Sequence, residues 1–143
     1  MNKKRILMVD DEPGFTRMAK ISLEASARYS VEVVNDPGDA LAAARRFKPD
    51  IILLDIIMPG MDGGDVAKQL RSNPELGDVP IIFLTATASG KAAPQGDLVS
   101  GGYLFLAKPI ALDDLMRCIE TCSAENASHS QTDPPATDAD LRP

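Results

Sequence analysis

Apolar residues along this chain gather in five short runs: "RILMV" (5–9), "VEVV" (31–34), "IILL" (51–54), "IIFL" (81–84) and "YLFL" (103–106). Their length suits strands, and most run without polar interruption, the pattern of strands buried on both faces. "VEVV" differs, because Glu32 among valines reads as a sheet edge. Between the runs, residues fall at helical spacing: Phe15/Met18/Ala19/Ser22, Ala40/Ala44/Phe47, Val66/Leu70 and, most cleanly, Leu112/Leu115/Met116/Ile119. The alternation is β-α repeated five times, which predicts an α/β fold with a parallel sheet and helices on both of its faces.

Two segments leave this rhythm. The fourth helix is due between residues 87 and 101, yet "TASGKAAPQGDLVSGG" carries Gly90, Pro94, Gly96 and the Gly101-Gly102 pair, so a short, distorted or mobile helix is expected there. After Cys122 the sequence is polar, contains proline and has no periodicity. The expected organisation is one domain over residues 1–122, followed by a disordered tail or linker stub over 123–143.

With 143 residues, the chain has the length of one ordinary domain. A net charge of −6, with no basic cluster beyond "KKR" at the start, argues against direct nucleic-acid binding and against an anionic membrane surface. "MNKKRILMVDDEP" is too short in apolar residues for a signal peptide or a membrane span, so a cytoplasmic protein is expected. Cys118 and Cys122 lie four apart in a helical pattern with only His129 as a further soft ligand, too few for a zinc site. They are expected as small buried or half-buried residues.

The residues that follow the runs carry the chemistry. Asp10 and Asp11 follow the first, Asp55 the third, Thr85 the fourth and Lys108 the fifth. In a parallel sheet all of these reach the carboxyl edge, where α/β folds place their functional crevice. "IILLDIIMPGMDGG" (51–64) ends a greasy run on Asp55, read as the exposed terminal charge of a central strand. Buried without a partner, that carboxylate would cost several kcal/mol or neutralise itself. Three clustered carboxylates suit a hard cation, and an incomplete oxygen cage suits Mg²⁺ better than Ca²⁺. Add a hydroxyl and an ammonium, and the parts are those of phosphoryl transfer to an aspartate.

The segments "MVDDEP" (8–13), "LLDIIMPGMDG" (54–63), "FLTATA" (83–88) and "LFLAKPI" (104–110), in that order, resemble the receiver domain of two-component response regulators over about residues 3 to 122. The resemblance implies the flavodoxin-like, doubly wound (βα)₅ fold with strand order 2-1-3-4-5. It implies Asp55 as the phosphoacceptor, and Asp10, Asp11, Asp55 and the backbone carbonyl of Ile57 as ligands of Mg²⁺, with Mn²⁺ as a substitute. Thr85 resembles the switch hydroxyl, with the backbone of Ala86 beside it; Lys108 resembles the phosphate-pairing lysine, its bond to Pro109 expected to be cis; Phe105 falls at the switching aromatic. The implied partners are a sensor histidine kinase or a histidine phosphotransfer protein, then a downstream protein target or a second copy of the chain. No catalysis beyond its own phosphorylation and dephosphorylation is implied.

Two rivals stand against this reading, the first sharing its strand-end aspartate, Mg²⁺, threonine and lysine, the second its topology. A haloacid-dehalogenase-type phosphatase needs a second acid two residues after its nucleophile, and Ile57 occupies that place. A flavodoxin-like carrier would hold a phosphate where Asp10 and Asp11 would repel it.

Overall fold

The computed structural model describes residues 3–86, 98–100, 103–108 and 110–131. In chain order the elements are β1 (Lys4–Val9), α1 (Pro13–Ala25), β2 (Tyr29–Val34), a 3-10 turn (Pro37–Asp39), α2 (Ala40–Phe47), β3 (Ile51–Asp55), α3 (Gly63–Ser72), β4 (Ile81–Ala86), β5 (Leu98–Ser100), β6 (Tyr103–Lys108) and α4 (Leu112–Gln131). The strands lie in the order β2-β1-β3-β4-β6-β5. The first five of these positions pair in parallel and reproduce the expected order, with β6 as the fifth parallel strand. "VEVV" indeed lies at an edge.

Period-two alternation sorts the strand residues onto two cores. Leu7, Val9, Ile52 and Leu54 face α2 and α3, whereas Ile6, Met8, Ile51 and Leu53 face α1 and α4 with Leu23, Leu115 and Ile119. All five residues of β3 are buried, as its unbroken apolar run predicts. Cys118 is buried and Cys122 half-buried in the second core.

One strand is added and two expectations change. Leu98–Ser100 is a strand, antiparallel to β6 through Leu98↔Phe105, Val99↔Leu104 and Ser100↔Tyr103, within the stretch expected to hold a short or irregular helix. Residues 87–97, on which the expected short or irregular helix falls, lie outside those described, as do Gly101 and Gly102. On α1 the buried face is Thr16 and Leu23 with Phe15 and Ala19 partly buried, while Met18 is exposed. The sequence stripe was therefore displaced around the helix. Finally, the last helix does not stop at Cys122 but continues through Gln131, so residues placed in the tail begin as helix.

That helix is fastened at the far end of the sheet. The Tyr29 hydroxyl, at the start of β2, donates to the Glu120 carboxylate, and Arg28 lies 3.7 Å from the same carboxylate. Burial, together with the Glu120 hydrogen bond and charge, pushes the Tyr29 phenol up to about 12.

One close approach sets the entry of α3. The Gly63 N–H donates to the Ile56 carbonyl at 2.7 Å, and a Cβ on Gly63 would lie 2.5 Å from the Asp55 carbonyl oxygen and 2.8 Å from Ile56 Cα. Only a glycine lets the helix start so near that strand end. Gly63→Ala is expected to destabilise the fold by about 1–3 kcal/mol. Gly14→Ala, at a helical position with nothing within 4 Å, is expected to be neutral or to stabilise by up to about 1 kcal/mol. Urea unfolding of both variants tests the contrast.

Candidate functional site

The order of the strands reverses between β1 and β3, where connections leave for opposite faces of the sheet. Asp10 follows β1 directly and Asp55 ends β3, so the crevice at that reversal is lined by acids. Ligand oxygens of Asp10, Asp11 and Asp55 all lie within 4.8 Å of one another. Asp10 is fully buried, Asp11 half-buried and Asp55 only 4% exposed. The expectation of an exposed Asp55 is thus corrected: the carboxylate is withdrawn from solvent and its charge is met by Lys108 of β6.

The counter-charge is Lys108. Its ammonium lies 2.6 Å from Asp10 Oδ2, 3.3 Å from Glu12 Oε1 and 3.7 Å from Asp55 Oδ1. Burial would lower the Lys108 pKa, but the hydrogen bond and charge of Asp10, followed by Asp55 and Glu12, raise it on balance. Asp55 moves the other way from an ordinary carboxylate. Burial and then the Asp10 charge push it up to about 6, against the pull of Lys108 and of a hydrogen bond from the Ile57 backbone N–H.

Backbone ties hold the acids in place. The Asp10 N–H donates to Val34 O at 3.0 Å, its carbonyl accepts from Asn35 Nδ2 at 2.8 Å, and its Oδ1 accepts from the Glu12 N–H at 3.0 Å. Asn35 Nδ2 also donates to the buried Thr16 hydroxyl at 3.1 Å, which fixes the start of α1 against the end of β2. On β4 the Ile56 N–H bonds Leu84 O at 3.1 Å, and Thr85 follows, half-buried and opposite Ala107 of β6. Ala86 stands opposite Lys108. Phe105 stacks on Phe83, ring centroids 5.1 Å apart, and is packed against the core under α2 and α3. The Ile57 side chain is 68% exposed. Pro109, and with it the expected cis bond, lies outside the described residues, as does Thr87.

The profile of the response regulator receiver domain matches residues 6–120. The chain belongs to the response regulator receiver family. Response regulator PleD of Caulobacter vibrioides is 44% identical to this receiver over 112 residues, 78% of this chain and 24% of that protein. The DNA-binding response regulator MtrA of Mycolicibacterium smegmatis is 37% identical over 114 residues, 80% of this chain and 48% of MtrA. The receiver therefore spans between a quarter and a half of these relatives. Among solved structures, Vibrio cholerae chemotaxis protein CheY4 superposes with a TM-score of 0.70 at 29% identity, covering 84% of this chain and 98% of CheY4. A CheY-like receiver domain protein from Methanospirillum hungatei shares the fold with a TM-score of 0.73 at 24% identity, covering 90% and 99%. The receiver thus takes part in two-component signalling, as its sequence motifs imply.

Two neighbours of Lys108 escaped the sequence reading. In the sequence Glu12 stands only within the motif "MVDDEP", and Phe15 only among residues at helical spacing. The Lys108 ammonium lies 4.5 Å from the centroid of the Phe15 ring. No local signal joins them to Lys108, which stands 96 residues from Glu12 along the chain.

The raised Asp55 pKa makes a stability statement. Its carboxyl titrates near 3.9 when unfolded and at about 6 in the fold, so the ionised form is disfavoured in the native state. The relative stabilisation is full below the unfolded value and is lost as pH rises through 6. In chelator-treated buffer at pH 7.5, Asp55→Asn is expected to be more stable than the wild type by about 1–3 kcal/mol. The gap should narrow between pH 6 and pH 4, as denaturation curves at each pH would register.

Proposed function

We propose that this receiver takes a phosphoryl group from a phosphohistidine onto Asp55, with a sensor histidine kinase or a histidine phosphotransfer protein as donor. The observation that carries the reading is the placement of Asp55 at the sheet's reversal point, clustered with the Asp10 and Asp11 carboxylates and 3.7 Å from the Lys108 ammonium. A carboxylate oxygen of Asp55 attacks phosphorus, a P–O bond forms, the P–N bond to the donor imidazole breaks, and the imidazole leaves with the bonding pair.

The acids fit a divalent cation. Asp10, Asp11 and Asp55 offer carboxylate oxygens within 4.8 Å of one another, largely withdrawn from solvent, and such a cluster of oxygen ligands suits a hard cation. Asp10, Asp11, Asp55 and the Ile57 carbonyl would hold Mg²⁺, or Mn²⁺ in its place. When bound, the cation neutralises the phosphoryl oxygens and lets three acids share one crevice.

The rest of the site is protein chemistry. Lys108 supplies positive charge beside Asp55. The Thr85 hydroxyl and the Ala86 backbone, at the carboxyl end of β4, are the donors proposed for the added phosphoryl oxygens. A phosphoryl group brings close to two further negative charges and three acceptors. Thr85 moving to meet it would loosen the space beside Phe105, whose ring is the proposed relay to the outer surface. This is a two-state equilibrium biased by contacts made in one state.

The reading makes the domain a substrate of its donor rather than an enzyme toward other molecules, acting in the cytoplasm, with residues 1–122 as the signalling unit. Its output would be a protein contact, with a downstream target or a second copy. The net charge of −6 supports the absence of direct nucleic-acid contact by this domain. Among the described residues no helix is long and apolar enough to cross a membrane. The absence of an acid at Ile57 removes the proton-transfer group a phosphatase would use.

Incubation with acetyl phosphate and MgCl₂ is expected to yield a hydroxylamine-sensitive phosphoprotein, visible as a mass increment, that Asp55→Asn does not form. Label of the same lability persisting in Asp55→Asn would remove Asp55 from its role.

A further inference from the structure

The Lys108 ammonium is held from two directions. Asp10 and Asp55 belong to the proposed transfer site; Glu12 and Phe15 come from the entrance of α1 and its first turn. Glu12 caps the helix end without a side-chain capping bond, leaving its carboxylate to reach Lys108 at 3.3 Å. The Phe15 ring lies beneath the ammonium at 4.5 Å, where the negative face of an aromatic ring attracts a cation.

These contacts have a cost for the acids. Asp10, whose Oδ2 is the atom nearest the ammonium, also belongs to the acid cluster proposed to hold a divalent cation. Two cations at one carboxylate oxygen repel, strongly so where water is scarce. Whatever holds the ammonium against Asp10 therefore opposes the binding of a metal there. Glu12 is 64% exposed and its ion pair is screened by solvent, so its share is small. Phe15 is half-buried and the Lys108 side chain only 11% exposed, which places the ring contact in the desolvated, stronger part of its range.

We propose that Phe15 is a positioning residue for Lys108: its ring face keeps the ammonium seated on Asp10 and so sets the affinity of the acid cluster for Mg²⁺. The inference rests on the reading of Asp10, Asp11 and Asp55 as a cation site. It assigns to a residue of the first helix a control over the cation that none of the acids themselves supplies.

Titration of the full chain with MgCl₂, followed by calorimetry, tests this. Phe15→Leu keeps an apolar side chain, adds no charge and removes the ring face; its Mg²⁺ affinity is expected to rise about two- to five-fold. Phe15→Trp, with the stronger face, is expected to lower the affinity. In a Lys108→Met background both effects should vanish, because no ammonium remains to be held. A second readout needs no metal: ring current from Phe15 should shift the Lys108 ε-methylene proton resonances in chelator-treated wild type, and the shift should collapse in Phe15→Leu. Equal Mg²⁺ affinities for wild type, Phe15→Leu and Phe15→Trp overturn the inference, as do effects that persist with Lys108→Met. In those cases Mg²⁺ is still bound and the acid site stands. A wild-type chain that binds no Mg²⁺ overturns the acid site and this inference together.

Discussion

Gathering three carboxylates at one sheet edge is the constraint on which this structure turns. Asp10 and Asp55 are almost entirely withdrawn from water, and like charges so placed repel unless a cation stands between them. Lys108 is that cation within the protein, brought from the far side of the sheet by β6. The arrangement favours neither full ionisation nor neutrality, since Asp55 is driven toward its protonated form while Lys108 is driven toward its charged one. A site tensioned in this way gains from any further positive charge, and buried pairs of this kind lose much when one partner is removed.

The backbone makes that tension tolerable. The loop after β1 is tied to the end of β2 through Val34 and Asn35, and the loop after β3 is tied to Leu84 of β4 and to the first residue of α3. None of these bonds involves the carboxylates of Asp55 or Asp11, which stay open for chemistry while their main chain is fixed. Rigid positioning of reactive groups by the ends of strands is what α/β sheets offer at a reversal of strand order.

Much of this was legible in the sequence because the signals were strong and local. Unbroken apolar runs reveal doubly covered strands, and a charge directly after such a run must lie at the carboxyl edge, so Asp10, Asp55 and Lys108 could be placed together before any coordinates. What was illegible depended on distance and angle. The burial of Asp55 depends on how the elements around the strand end pack together, which no local pattern specifies. The exposure of Met18 reflects a rotation of α1 about its axis that period counting over four positions does not resolve. The strand Leu98–Ser100 sits in a segment whose glycines oppose a helix without specifying what replaces it. The Phe15 ring beneath Lys108 joins residues from opposite ends of the domain, and nothing in either neighbourhood announces the other.

The fastening of α4 has a mechanical consequence. Its first turn follows closely on Lys108, at the acid edge, while Glu120 is held by Tyr29 and Arg28 at the opposite end of the sheet. Leu115, Cys118 and Ile119 pack into the core between these two ends, so the stretch from the acid edge to Glu120 is held as one piece, and the helix runs on from it to Gln131.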